Sequence, residues 1–367
     1  MAEPLKNRYN EQFFEKLIHN WQNIQPSLKA QEFLQNIHNQ AWEKMELKER
    51  MRHLALCMND FLPQPYEKAV QEIVQLAHQL RKNAQEQSFE YLFLPEYILQ
   101  YGIEHPKNSL QAMEEITQFV SCEFAIRPFL EQYPKESFKK MIQWSKHPEA
   151  NVRRLASEGS RPRLPWAAAL TSLKKDPRPL LPILENLKDD SSLYVRKSVA
   201  NNLNDISKDH PQLFIELIHE WKSNSANRQW ILKHASRTLL KSGHAEIMEF
   251  FDYAPTEHFK LESFQLKQNK VTFGSALEFD FQIKNLKNNA SKLRLEYGIY
   301  FLKANGSHNK KVFKISERAP KASETIAVER KHPIRAITTR KYYSGEHFVV
   351  LIVNGKEIIK RNFTLVI

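Results

Sequence analysis

Two cysteines in 367 residues, Cys57 and Cys122, exclude a disulfide framework and a thiolate metal cluster, and both stand in apolar helical patterns that suggest buried free thiols. No stretch approaches the roughly 20 consecutive apolar residues of a membrane span. The opening Met1-Ala2-Glu3-Pro4 also lacks the basic and then apolar run of a secretory leader, so a cytoplasmic protein with no membrane partner is expected. Glycine is scarce: of eight, only Gly102, Gly159 and Gly243 precede residue 260. The sequence has no P-loop, no GxGxxG, no HExxH, no clustered Cys/His spacing and no GxSxG. Neither a metal nor a cofactor is therefore expected.

Acidic residues are in short supply at one end. Of 54 Lys+Arg and 42 Asp+Glu, 20 and 9 lie in residues 261–367, which leaves 34 and 33 before them. Nearly all of the net +12 is thus C-terminal, and an excess of cations in one module favours an anionic partner such as a phosphate backbone. The length itself exceeds what one hydrophobic core commonly serves and suggests two domains. The change of pattern near residue 257 divides them into 1–257 and 258–367.

Residues 1 to about 255 carry helical periodicity. Phe13, Phe14, Leu17, Ile18 and Trp21 share one helical face, as do Met51, Leu54, Ala55, Met58 and Leu62. Pro63-Gln64-Pro65, Pro134, His147-Pro148, Asp176-Pro177 and His210-Pro211 mark helix ends, since proline cannot continue a helix. Trp144 and Trp230 fall on apolar faces and are expected in the core.

Within this region a segment recurs. Val152-Arg153-Arg154-Leu155-Ala156 is matched by Val195-Arg196-Lys197-Ser198-Val199-Ala200 and more weakly by Ile231-Leu232-Lys233-His234-Ala235. The spacings of 43 and 36 residues sit around the roughly 40 to 47 of two-helix HEAT-type repeats. Such repeats bury their apolar residues only by stacking, which gives an α-helical HEAT-like repeat solenoid. The pairs Arg153-Arg154 and Arg196-Lys197 then fall at equivalent positions, either as a cationic ladder for phosphates or as ordinary solvated helix residues.

From Leu261 onward the period is two, as in Leu277, Phe279, Phe281, Ile283 and Leu293, Leu295, Tyr297, Ile299, Phe301. Asn354-Gly355 between apolar runs predicts a two-residue hairpin turn. Six or seven strands imply an all-β immunoglobulin-like sandwich, in architecture only, because the Cys and Trp hallmarks of antibody domains are missing. Arg330 to His347 combines cations, hydroxyls and aromatics in expected loops and strand ends. Arg335, Arg340 and Lys341 in it are candidate DNA contacts, against the alternative of solvated strand and turn residues.

The densest chemistry is Arg153-Arg154-Leu155-Ala156-Ser157-Glu158-Gly159-Ser160-Arg161-Pro162-Arg163-Leu164-Pro165-Trp166, where four arginines, an acid and an aromatic end a helix and cross two prolines. This run, followed by Ser198-Val199-Ala200-Asn201-Asn202-Leu203-Asn204-Asp205-Ile206-Ser207-Lys208-Asp209-His210-Pro211, resembles the AlkC branch of the AlkC/AlkD superfamily of bacterial DNA alkylation-repair glycosylases. The C-terminal module resembles the immunoglobulin-like domain of some AlkC members. The resemblance implies a glycosylase of base excision repair that removes cationic N3-methylated bases, 3-methyladenine and 3-methylcytosine, from double-stranded DNA without flipping the base into a deep pocket. It also implies a carboxylate that stabilises the oxocarbenium-like transition state. Three acids match it: Glu123 in Ser121-Cys122-Glu123-Phe124-Ala125-Ile126-Arg127-Pro128, Glu158 and Asp205.

Each of these residues has a structural alternative. Glu123 and Glu158 can be salt-bridge partners and Asp205 a helix-end residue. Trp166 is a lesion contact through cation–π attraction or a core anchor. Arg154, Arg161, Arg163 and Lys197 are phosphate contacts or paired surface cations, and Arg161 can also orient Glu158. No lyase lysine can be argued, so a monofunctional, monomeric enzyme is expected. The competing functions are a non-catalytic repeat scaffold and a protein that binds damage without cutting.

Overall fold

A computed structural model of the chain describes residues 3–83, 89–338 and 340–367. They fall into two compact units, Met1–Ala235 and Ser236–Ile367. Among the described residues the first unit holds fourteen α-helices. In order these are α1 (Glu11–Gln22), α2 (Ala30–Ile37), α3 (Leu47–Asn59), α4 (Tyr66–Asn83), α5 (Phe93–Tyr101), α6 (Pro106–Ile116), α7 (Ile126–Gln132), α8 (Pro134–Trp144), α9 (Ala150–Glu158), α10 (Thr171–Lys175), α11 (Leu181–Leu187), α12 (Leu193–Asp209), α13 (Pro211–Glu220) and α14 (Ala226–Ala235). No helix among the described residues is long and apolar enough to cross a membrane.

Local chemistry sets the helix ends. The Asn10 side chain accepts from the Phe13 N–H at 3.0 Å and starts α1, while Glu46 and Glu49 form a reciprocal capping box at α3. Pro134 and Pro211 each occupy the first helical turn, where the missing N–H costs nothing, so one residue separates α7 from α8 and α12 from α13. The expected apolar faces are buried: Phe13, Phe14, Leu17 and Trp21 on α1, then Met51, Leu54, Ala55 and Met58 on α3. Each large apolar side chain so buried stabilises the fold by roughly 1.5–3 kcal/mol.

The repeat is visible in the packing. α12 lies against both α9 and α14, and Val152, Val195 and Ile231, at matching positions of the three, are each fully buried. Arg153 and Arg196 also match, both in the first turn of their helices. Arg153 donates to the carbonyls of His147 and Pro148 at 2.9 and 2.7 Å, and Arg196 to those of Asp190 and Ser191 at 2.8 and 2.7 Å. Each thus folds back on the loop that precedes its own helix. Arg153 in addition holds Asp190 of the next repeat at 2.6 Å. Arg153 thus braces two repeats and Arg196 its own loop, so neither side chain extends as a rung of a cationic ladder. Trp144 is in the core as expected, whereas Trp230 is half-buried and stacks on His234 with ring centroids 5.0 Å apart.

The second unit begins with α15 (Arg237–Ser242) and α16 (Ala245–Phe250) and continues as β1 (Phe259–Leu266), β2 (Lys270–Thr272), β3 (Ala276–Asn285), β4 (Leu293–Leu302), β5 (His308–Arg318), β6 (Thr325–Pro333), β7 (Gly345–Val353) and β8 (Lys356–Val366). One sheet has the order β1-β3-β6 and the other β2-β8-β7-β4-β5. Leu277, Phe279, Phe281 and Ile283 of β3 meet Leu293, Leu295, Ile299 and Leu351 of the other sheet in one core, as the period of two requires. Asn354 and Gly355 form the β7–β8 turn with φ of 43° and 82°. The compact unit starts before the change of period at 257/258 because the α15–α16 connection packs on this turn: a Cβ on Gly355 would lie 2.3 Å from Gly243 Cα.

Candidate active site

The Arg-rich run folds as the end of α9 and a loop that cannot be helical. α9 stops at Glu158, Gly159 has no room for a side chain because a Cβ would meet Ile126 Cγ2 at 2.5 Å, and Pro162 and Pro165 prevent further helix. Ser160 Oγ donates back to the Ala156 carbonyl at 2.7 Å. One side chain organises the rest of the loop. Arg127, on α7 and 5% exposed, donates to the carbonyls of Gly159 at 3.2 Å, Arg161 at 2.9 Å and Ala168 at 2.6 Å. Burial, only partly offset by Glu131, lowers its pKa to about 10. The guanidinium therefore serves as a strap under the loop.

The loop and its neighbours bring the three acids into one chain of alternating charge. Glu123, from the turn before α7, pairs with Arg154 of α9 and accepts from Ser121 Oγ at 2.8 Å. Arg154 also approaches Glu158 at 3.8 Å. Arg161 bridges the remaining two acids, with Nη1 2.7 Å from Glu158 and Nε 3.0 Å from Asp205 of α12. Lys208 reaches the other oxygen of Asp205 at 3.1 Å. Asn202, one turn before the Asp205 level on α12, donates to the Ser157 carbonyl at 2.8 Å and ties α12 to α9.

Burial grades along this chain. Asp205 is 1% exposed, Glu158 6% and Arg161 7%, while Glu123 is half-buried at the outer end. Arg154 is desolvated, which alone would lower its pKa, but Glu123, Tyr194 and Glu158 outweigh burial and hold it above the usual arginine range. For Arg161 likewise, Glu158 and Asp205 overcome burial. Both guanidiniums are thereby fixed as cations. Tyr194 lies against Arg154, with the guanidinium carbon 4.7 Å from the ring centroid.

Trp166 is no core anchor: it is 72% exposed. Its φ of 64° is a conformation that bulky residues rarely adopt. Two bonds hold it there, Lys48 Nζ to the Trp166 carbonyl at 2.5 Å and Arg127 to Ala168. Among the other candidates, Arg163 is paired with Asp209 at 2.5 Å and Lys197 is exposed on α12. In the second unit residues 334–344 connect β6 to β7, with Thr339 outside the described residues. Arg335 and Lys341 are exposed there. Arg340 is half-buried, its guanidinium 3.8 Å from the Phe301 ring centroid and 3.3 Å from Tyr342 Oη.

Sequence reasoning passed over Arg127, Lys48, Tyr194 and Asn202. Arg127 carries the one local signal, a cation inside the apolar run Ala125-Ile126-Arg127-Pro128-Phe129-Leu130. Lys48 carries none, since its partner is 118 residues away.

Comparison with known proteins agrees with this architecture. Residues 111–239 match the family described as DNA alkylation repair enzyme, and residues 260–367 match the C-terminal Ig-like domain of the uncharacterised protein YhaZ. The uncharacterised YhaZ of Bacillus subtilis (strain 168) is 40% identical over 352 residues, covering 96% of each chain. Among solved structures, Pseudomonas fluorescens alkylpurine DNA glycosylase AlkC, bound to DNA containing an abasic site analog, aligns over 100% of both chains with TM-score 0.93 and 33% identity. The chain belongs to the AlkC branch of the DNA alkylation repair family, in the form that carries a C-terminal immunoglobulin-like domain.

Proposed function

We propose that this chain is a monofunctional DNA glycosylase that hydrolyses the N-glycosidic bond of cationic N3-methylated bases, 3-methyladenine and 3-methylcytosine, in duplex DNA. The observation that carries the reading is the convergence of Glu123, Glu158 and Asp205, from three separate chain segments, on one Arg154–Arg161 network. The likeness to an alkylpurine glycosylase bound to DNA supports it.

Methylation at N3 makes the base a cation and a good leaving group. The C1′–N bond breaks with its electron pair going to the base, which departs neutral and leaves positive charge on the sugar. Three carboxylates meet two guanidiniums and the Lys208 ammonium, so the network as a whole is balanced and the stabilisation comes from the single carboxylate nearest the sugar. A unit charge about 4 Å from the sugar cation stabilises it by roughly 4 kcal/mol at an effective dielectric of 20, about a thousandfold in rate. A carboxylate also takes the proton of the water whose oxygen adds to C1′. Trp166, exposed on its strapped loop, packs on the cationic lesion or sugar face, which removes any need for a deep base pocket. The exposed cations Lys197, Arg335 and Lys341 bind phosphates.

Excision and DNA affinity separate the roles. Glu158→Gln and Asp205→Asn are expected to lose excision by about 100- to 1,000-fold with affinity for methylated duplex retained. Retained excision in every single and combined variant of the three acids overturns the mechanism.

A further inference from the structure

We infer that the cavity beside Trp166 receives the methylated base after cleavage, a neutral, planar, amine-bearing heteroaromatic; the inference rests on the glycosylase reading above. The first unit carries a half-open cavity of about 720 Å³ walled by α3, α5, the start of α7 and the 166–170 segment, within the range of small-ligand sites. It contains none of the three acids, yet it shares two chain segments with them. Phe124, the residue after Glu123, forms one wall, and Trp166, which ends the run bearing Arg161 and Arg163, stands at its rim.

The chemistry of the step explains why a base would move there. Before cleavage the base is a cation and the nearest carboxylate attracts it. Afterwards it carries the bonding electrons, is neutral, and has lost that attraction. What remains favourable for it is apolar and aromatic surface, which Met51, Pro95, Leu99 and Phe124 supply. One polar group on the wall fits the exocyclic amine that 3-methyladenine and 3-methylcytosine share. Glu96, half-buried on α5, accepts from Gln100 Nε2 at 2.7 Å through Oε1, and among the described residues its Oε2 makes no hydrogen bond. Burial raises the pKa of this carboxyl, with Gln100 and the cations Arg52 and Lys48 opposing. The rim is built to stay in place, since Lys48 and Arg127 fix the backbone of Trp166 and Ala168.

Free 3-methyladenine titrated calorimetrically into DNA-free full-length protein reads the cavity without any excision, and single-turnover excision reads the enzymatic function separately. The free base is expected to bind the wild type and to inhibit its multiple turnover. Glu96→Gln weakens both by about tenfold, and Leu99→Trp, which narrows the cavity between α5 and Phe124, weakens them at least as much. Single-turnover rates stay within about twofold in both variants. Absence of binding to the wild type overturns the assignment while leaving excision intact. So does unchanged affinity in both variants, which would place the base at the acids or on Trp166. A parallel fall in single-turnover rate also overturns it, since the base would then occupy the cavity while still attached to DNA. If Leu99→Trp does not fold, Glu96→Gln decides alone.

Discussion

Replacing Arg161 with methionine tests whether the acid network is held by that guanidinium. Arg161, Glu158 and Asp205 are 7%, 6% and 1% exposed, and Arg161 alone touches both carboxylates, at 2.7 and 3.0 Å. Methionine fills the volume but leaves Asp205 with only Lys208 and Glu158 with Arg154 at 3.8 Å. Breaking a buried pair by removing one partner costs about 3–5 kcal/mol because an uncompensated charge stays behind. Urea unfolding of both proteins at pH 7 measures this, as a deficit of about 3–5 kcal/mol. A deficit under about 1 kcal/mol would show that Arg161 does not neutralise the pair.

The same geometry sets three further outcomes. Arg127→Met removes three bonds to loop carbonyls and is expected to cost about 3 kcal/mol and to speed proteolysis within residues 159–170, with Arg127→Lys intermediate; an unchanged cleavage rate contradicts the strap. Trp166→Ala, at a site 72% exposed, should change stability by less than about 0.5 kcal/mol while excision falls by about three- to thirtyfold, from the roughly 0.5–2 kcal/mol of a cation–π contact; normal excision removes Trp166 from the site. His332, buried against Tyr297 and repelled by Arg340, has its pKa lowered from 6.5 to about 4. Between those values the unfolded chain takes up a proton that the folded chain refuses. Stability is therefore fully present above pH 6.5 and is lost on acidification, by about 3 kcal/mol at pH 4. His332→Phe should flatten that part of the pH profile of thermal unfolding, and an unflattened profile refutes the assignment.

How much was legible in the sequence depends on the range of each interaction. Helical faces, the β-strand alternation and the Asn354-Gly355 turn are local, and the buried positions of α1, α3 and β3 agree with them, whereas β4 buries both faces, with Arg294 paired to Glu296 on the second. The repeat was legible as spacing, but not the direction of its arginines. Arg153 and Arg196 turn back onto preceding carbonyls, and which way a first-turn side chain folds depends on the loop before it. Trp230 shows the limit of periodicity: α14 buries Ile231, Leu232 and Ala235, so the neighbouring indole is turned partly outward onto His234. The three acids and the Arg161–Glu158 contact were open to a reading of the family-like segments, and the structure adds the second arm of Arg161, on Asp205. Arg127 was marked only as a cation inside an apolar run and Lys48 not at all, because backbone carbonyls far along the chain, which no sequence pattern marks, are what they hold.

The most direct measurement is base release by the purified, metal-free protein. Duplex DNA methylated at N3 of adenine and cytosine is incubated with the full chain and the freed bases are identified by mass spectrometry. The proposed chemistry predicts free 3-methyladenine or 3-methylcytosine with an abasic, unbroken strand left behind. No methylated base released by folded protein, or release together with strand cleavage, would contradict a monofunctional glycosylase.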